Sequence, residues 1–332
     1  MTDRTLHLPV AAPERVESFV DLAQLGEQQG YHRAWLPETW GRDAVPVLTR
    51  MATETESIGI GASILNVYSR SPTLLAQTAA TIQEISAGRF RLGVGPSGPA
   101  VIEGWHGAAF ERPLRRTRET IEIARLALSG ETVDYDGSVF SLAGFRLRCD
   151  PPAEPVPIDA AAMGPTAVEM TGRFADGWHA TMFTRSGMAE RLEDLERGVS
   201  LGDRRLEDVR VTLAVTACAL EDGERARDLV RRHAAFYIGG MGTFYRDSLA
   251  AQGHEELAHD VAAAWANGDR AAAADRIGED TLDQLGAAGT PEEARTALEG
   301  FEAIDGIDAV AVSFPREATT AEVRSTIEAL GP

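Results

Sequence analysis

The 332 residues predict one α/β domain, a (β/α)8 barrel of the TIM type with insertions after strand four and before strand eight. Three observations point to it. Short β-branched or apolar runs recur along the chain, each followed by an amphipathic helical pattern. Eight strands separated by helices, with no antiparallel core, favour a closed parallel barrel over an open doubly wound sheet. Hydrophobic residues make up 44% of the chain, enough for one large core, and barrels exceed the usual one-domain length.

The elements follow in order. Leu6–Val10 reads as strand one, and Val16–Gln29 as a helix with Val16, Phe19, Val20, Leu22 and Ala23 inward, closed by Gly30. Arg33–Pro37 is strand two, Val45–Thr53 a helix, Ile58–Leu65 strand three, and Pro72–Ile85 a helix that opens on proline. Phe90–Val94 is strand four. The alternation then breaks over residues 99–155, where Leu114–Leu128 reads as a helix and Val133–Phe140 as a hairpin turning at Asp136-Gly137. Val156–Ala161, Gly177–Thr181, Val211–Ala217 and Ala309–Phe314 complete the strands. The alanine-rich stretch Glu224–Leu298, punctuated by Gly239-Gly240 and Gly268, predicts a helical insertion over about residues 221–300.

Composition narrows the partners. There are 51 acidic against 32 basic residues, for a net charge of −19, and every basic residue is arginine. Such a surface repels nucleic-acid phosphates and anionic lipid, so neither is expected as a partner. An arginine-favouring genome explains the missing lysine; adaptation to high intracellular salt explains the acid excess as well. Cys149 and Cys218 have no metal-ligand spacing and read as buried or half-buried thiols. The N-terminus lacks the layout of a signal peptide and no apolar run is long enough to span a bilayer, so a cytoplasmic protein is expected.

In a barrel the chemistry lies after each strand. Strand two runs into Trp35-Leu-Pro-Glu38-Thr39-Trp40-Gly41, and strand three into Ser63-Ile64-Leu65-Asn66-Val67-Tyr68-Ser-Arg70. Strand four leads to Gly95-Pro96-Ser97-Gly98 and then Trp105-His106. Strand five leads to Met163-Gly164-Pro165-Thr166, and strand six to Phe183. Small polar residues mixed with large apolar ones suit a flat ring with a phosphorylated tail. Gly93, Gly95 and Gly98 satisfy G-x-G-x-x-G, but Pro96 and Pro99 intrude and no second strand follows, which argues against a dinucleotide site. Gly164-Pro165-Thr166 opens a helix and reads either as a phosphate seat or as an ordinary strand-to-helix turn. Glu38 is either a proton relay or a hydrogen-bond acceptor for the Trp40–Arg42 loop, and His106 and His179 are either acids or structural groups. No motif argues for a metal or for covalent chemistry, so a cofactor is expected to carry the reaction.

Gly61–Pro72, Leu75–Ala80, Ser86–Gly98, Glu103–Gly107 and Arg112–Phe140 together resemble the bacterial-luciferase-like superfamily. More narrowly, they look like its deazaflavin (coenzyme F420)-dependent oxidoreductases, the group of methylenetetrahydromethanopterin reductase. The likeness covers roughly residues 30–185. It implies a non-prolyl cis peptide at Ser63–Ile64 against the deazaflavin ring, with Asn66 at the ring's polar edge. It further implies that Thr39, Gly95, Pro96, Ser97 and Met163 line the cofactor channel and that Gly164, Pro165 and Thr166 hold the tail phosphate. Trp40, Trp105, His106 and Phe183 would bound a substrate pocket, and a homodimer is implied. Glu38-Thr39 stands where sugar-phosphate dehydrogenases of the group carry an Asp-His pair, which argues against a sugar phosphate. The implied reaction passes a hydride between the deazaflavin and a C=N or C=C bond, with a pterin- or folate-like compound as the leading substrate by analogy. The alternatives are a flavin mononucleotide (FMN)-dependent monooxygenase, a flavin carrier and a lyase.

Overall fold

The computed structural model describes residues 2–9 and 15–332. In chain order the strands are β1 (Asp3–His7), β2 (Arg33–Leu36), β3 (Gly59–Ala62), β4 (Leu65–Asn66), β5 (Phe90–Gly95), β6 (Val133–Asp136), β7 (Ser141–Phe145), β8 (Ile158–Ala161), β9 (Gly177–Thr181), β10 (Arg210–Ala219), β11 (Gly286–Gly289) and β12 (Ala309–Ser313). The helices are α1 (Val16–Gln28), α2 (Ala44–Glu54), α3 (Pro72–Ile85), α4 (Pro99–Gly104), α5 (Pro113–Leu128), α6 (Pro165–Phe174) and α7 (Arg185–Leu201). They continue with α8 (Gly223–Gly240), α9 (Phe244–Leu249), α10 (Glu255–Ala266), α11 (Arg270–Asp275), α12 (Glu279–Leu285), α13 (Pro291–Glu302) and α14 (Thr320–Ala329). The residues group into two compact units. The first comprises 1–32, 180–193 and 211–332, and the second 33–179 and 194–210.

In the first unit four strands run parallel in the order β11, β10, β12, β1. Their apolar residues alternate against α13 and α14, with Leu6, Val310, Val312, Leu298, Phe301 and Ile327 buried. The first strand starts three residues earlier than expected. Arg4 lies inside it because its guanidinium pairs with Glu302 and donates to the Leu330 and Gly331 carbonyls. Val10, its expected end, lies outside the described residues. A larger departure is β11: the alanine-rich pattern predicts helix at Gly286–Gly289, which is a strand. Its two glycines and short side chains let the backbone pair with β10, from Thr216 opposite Gly286 to Ala219 opposite Gly289. A Cβ on Gly286 would stand 2.8 Å from the Thr216 carbonyl oxygen.

The second unit holds the parallel strands β2, β3, β5, β8 and β9 in that order, with β4 beside β5. The predicted third strand is interrupted: β3 ends at Ala62 and β4 begins at Leu65, with the cis bond at Ser63–Ile64 between them. A short helix, α4, also opens at Pro99 where none was expected. Of the two thiols, Cys149 is exposed, against expectation, while Cys218 is buried and its thiol is pushed up to about 12. No helix among the described residues is long and apolar enough to cross a membrane.

The hairpin forms from β6 and β7 and starts at Val133 as predicted, but its turn spans residues 137–140, with Asp136 opposite Ser141. The displacement has a cause in Glu119 on α5, which the sequence did not flag. Its buried carboxylate accepts the backbone N–H groups of Ser138, Val139 and Phe140 at 2.9–3.0 Å. Gly137 is required by proximity, since a Cβ there would lie 2.4 Å from Glu119 Oε2. Burial raises the carboxyl, and the three N–H donors more than offset it, so it titrates below an ordinary glutamate. Glu119→Ala is expected to cost about 3 kcal/mol in urea unfolding, because three donors lose an ionised acceptor; a loss under about 1 kcal/mol would refute this account. Because the folded value is depressed, the carboxylate's contribution is complete above the unfolded value of about 4.3 and fades as pH falls through the folded one. The stability gap to Glu119→Gln should therefore shrink over that acid window.

Candidate active site

The site grows from one face of the second unit. Alternate residues of each strand point to that face: Arg33 and Trp35 on β2, Gly59 and Gly61 on β3, Arg91 and Gly93 on β5, Asp159 on β8, and Gly177 and His179 on β9. Glycine clears space for each large neighbour. A Cβ at Gly59 would meet the Arg33 guanidinium at 2.5 Å, and one at Gly61 the Trp35 ring at 2.2 Å. One at Gly177 would meet Asp159 Oδ1 at 2.3 Å.

The charges on this face are matched inside it. Arg91 binds Asp159 through Nε at 2.9 Å and through Nη2 at 2.5 Å. Asp159 is buried, which pushes its carboxyl up, but the Arg91 charge foremost, with His179, holds it well below the usual carboxylate range. Arg33 donates to the Ile60 and Arg89 carbonyls, and burial lowers its guanidinium to about 9. One layer nearer the strand ends, His179 packs edge-on to Trp35 at 4.4 Å. Its Nε2 lies 3.4 Å from Asp159 Oδ2, outside hydrogen-bonding geometry, and its Nδ1 lies 3.4 Å from Ser63 Oγ.

That last contact reaches the interrupted strand. Ser63 and Ile64 are half-buried at the end of β3, and Ser63 N–H donates to the Leu36 carbonyl. The glycines once suggestive of a dinucleotide motif have another use. A Cβ at Gly93 would stand 2.1 Å from the Ala62 carbonyl oxygen, and one at Gly95 would press on Ile64 and on the Ala161 methyl at 3.3 Å. Both are needed for β5 to pass under the bulge. Pro96 and Ser97 follow half-buried, Ser97 with a φ of 58°.

The other predicted residues divide. Asn66 is buried, and its Oδ1 accepts the N–H groups of Tyr68 and Ser69 at 3.0 and 2.7 Å, so only its amide nitrogen faces outward, 3.4 Å from His106 Nε2. His106 itself is exposed. Glu38 is buried with both oxygens engaged: Arg70 binds it bidentately at 2.5 and 2.9 Å, and the Ala44 N–H at the start of α2 donates to it at 3.1 Å. Neither Arg70 nor the Arg91–Asp159 pair was predicted; a charged residue inside an otherwise apolar strand was the available signal for the latter. Thr39 is half-buried, whereas Trp40 and Trp105 are exposed. Met163 is half-buried, and Gly164, Pro165 and Thr166 are exposed at the start of α6, which has no side-chain cap. Phe183 is buried in the first unit, in a loop that Gln252 pins through bonds to Thr184 and the Met182 carbonyl.

Residues 3–306 match the family model of luciferase-like monooxygenases. The chain belongs to this family. It is 28% identical over 274 residues to 5,10-methylenetetrahydromethanopterin reductase of Archaeoglobus fulgidus, covering 81% of each chain. It is 30% identical over 237 residues to an F420-dependent glucose-6-phosphate dehydrogenase of Nakamurella multipartita, 66% of this chain and 68% of that one. The structure of the coenzyme F420-dependent tetrahydromethanopterin reductase of Methanopyrus kandleri aligns with a TM-score of 0.84 at 22% identity, over 99% of this chain and 97% of that one. That likeness gives the fold: a closed eight-stranded parallel TIM barrel surrounded by helices, as predicted.

Removing one partner of a buried ion pair strands the other. Asp159→Asn is expected to destabilise the protein by about 3–5 kcal/mol in denaturant unfolding, and a change below about 1 kcal/mol would show that Arg91 finds another counter-charge.

Proposed function

We propose that this luciferase-family protein is a coenzyme F420-dependent oxidoreductase, passing a hydride between the deazaflavin and a C=N or C=C bond of a small molecule, with a pterin- or folate-like compound as the leading substrate. The observation that carries the reading is the interrupted strand at Ser63–Ile64, backed by Gly93 and Gly95. The residues present fit the group in two respects. Ile64 offers a half-buried apolar surface held from behind, suited to a flat ring. The uncapped N-terminus of α6 offers backbone N–H donors beside Gly164, around whose Cβ position nothing lies within 4 Å, suited to the tail phosphate.

Bound F420 supplies a hydride donor or acceptor at ring carbon C5. Ser63, held by His179, fixes the segment that supports the ring. Gly95, Pro96, Ser97, Thr39 and Met163 would line the cofactor channel. The apolar side chains of Ile64 and Met163, both half-buried, would help exclude water from the bound ring. Glu38 positions Arg70 and the start of α2. His106, exposed beside the Asn66 amide, is the titratable side chain left to exchange a proton with substrate. Trp40 and Trp105 would bound the substrate. A homodimer is the expectation that the family resemblance carries, and the 51 acidic residues support adaptation to salt.

The family name favours a second reading, an FMN-dependent monooxygenase that consumes oxygen. A fluorescence titration with F420 and with FMN, in low and in multimolar KCl, separates the two. Preference for F420, strengthening with salt and without oxygen uptake, is the expected result; preference for FMN with substrate-dependent oxygen uptake would overturn it. Glu38→Gln should leave the pH profile of kcat unchanged, whereas His106→Gln should lower kcat by about 10²-fold. If Glu38→Gln instead removes a limb of the profile, Glu38 is the relay and not a positioning residue.

A further inference from the structure

The helical insertion builds a second group of side chains, all within the first unit, that the hydride chemistry does not use. α8 presents His233, Phe236 and Tyr237 at spacings that share one helix face. The His233 and Tyr237 rings lie 4.8 Å apart, and Tyr245 on α9 meets Tyr237 edge-on at 4.7 Å. Phe236 meets Trp265 of α10 at 5.9 Å. Gly239 and Gly240 allow that approach, since a Cβ on either would stand 2.5 or 3.0 Å from the Trp265 side chain. All these rings are half-buried, so the cluster is open on one side and not part of the sealed core.

Arg316 stands over this cluster, three residues past the end of β12. Its guanidinium carbon lies 4.5 Å from the Phe236 ring centre, and its backbone N–H donates to His233 Nδ1 at 2.9 Å. Accepting at Nδ1 leaves a neutral His233 with its proton on Nε2, as a donor. Burial, reinforced by the neighbouring Arg316 and His7, lowers His233 to about 4, so the ring is neutral at ordinary pH. Burial likewise raises Tyr237 and Tyr245, which keep their hydroxyl protons. Among the described residues Arg316 has no carboxylate partner; the adjacent Glu317 pairs with Arg232. Arg316 is exposed and stacked on Phe236, so its guanidinium donors are open to a ligand. A planar guanidinium binds a carboxylate bidentately, His233 and the two tyrosines of the same cluster are neutral donors, and the rings suit an aryl group.

We propose that Arg316, His233, Tyr237 and Tyr245 form a binding subsite for the carboxylate of a planar aromatic acid, at the strand-end face where barrel enzymes hold their ligands. The oxidoreductase reading enters only in calling that acid the substrate. The test titrates benzoate and its uncharged isostere benzamide calorimetrically into wild type, Arg316→Gln and Arg316→Lys, each with and without saturating F420. Benzoate should bind wild type at least about tenfold more tightly than benzamide. Arg316→Gln should lose that preference, Arg316→Lys should keep part of it, and F420 affinity and melting temperature should stay at wild-type values in both. Equal affinity for the two probes, no benzoate binding up to tens of millimolar, or undiminished benzoate binding by Arg316→Gln would overturn the subsite. Displacement of benzoate by F420 would assign the carboxylate to the coenzyme and overturn the substrate assignment. If wild type discriminates the probes yet binds no F420, the subsite stands and the oxidoreductase reading falls.

Discussion

The second unit depends on the pairing of Arg91 with Asp159 across β5 and β8. Arg33 and Arg91 both lie on the buried face of a parallel sheet, where an uncompensated cation is far too costly to keep. Asp159 answers Arg91 directly and eases the charge on Arg33, whose remaining donors are used on carbonyls. The bidentate geometry also fixes how β8 lies beside β5, with Gly93 opposite Asp159. That register brings Ala161 against Gly95 and, through Gly95, against Ile64. A contact one layer below the strand ends therefore decides where the bulge stands.

Glycine is the second half of the same constraint. Gly59, Gly61, Gly93, Gly95 and Gly177 share one face, and at each of them a methyl group would meet a neighbour at 3.3 Å or closer. At Gly59, Gly61 and Gly177 the neighbour is a large or charged side chain; at Gly93 it is the backbone just before Ser63. The face is thus filled by a few large groups from alternate strands rather than by branched aliphatics from all of them. Aliphatic residues occupy the opposite face, where Ile60, Leu92, Val94 and Ile158 are buried. A sheet so arranged can hold polar groups at its ends without leaving its interior uncompensated.

The alternation of strands and helices was legible because each strand is a short apolar run bounded by turn residues, and the family resemblance located the cis bond. What was not legible has a common physical origin. Arg91, Asp159 and Arg70 matter through partners 27 or more residues away in sequence, and no local pattern announces such pairs. Gly286–Gly289 reads as part of an alanine-rich helix until β10 offers it hydrogen bonds. Glu38 shows the converse. Its position after a strand was read correctly, but only the structure reveals that Arg70 and the α2 terminus occupy both its oxygens. Position follows from local sequence, whereas chemical availability follows from long-range neighbours.

The absence of lysine has a structural counterpart in how helices end. Most helices among the described residues have no basic residue in their last turn, and the terminal carbonyls of several helices are answered by arginines from elsewhere in the chain. Arg89 donates to the carbonyls of Ala52 in the last turn of α2 and of Thr55 just after it, of Ile58, and of Ser86 after α3. Arg204 takes those of Gly172 and Ala175 at the end of α6, and Arg4 those of Leu330 and Gly331 after α14. One guanidinium can satisfy several carbonyls at once because its five donors are held in a fixed fork, which a single ammonium on a flexible stem does not reproduce. The arginines thus join elements distant in sequence while the surplus carboxylates remain at the surface, so a strongly acidic chain still supplies positive charge at the helix ends where it is needed.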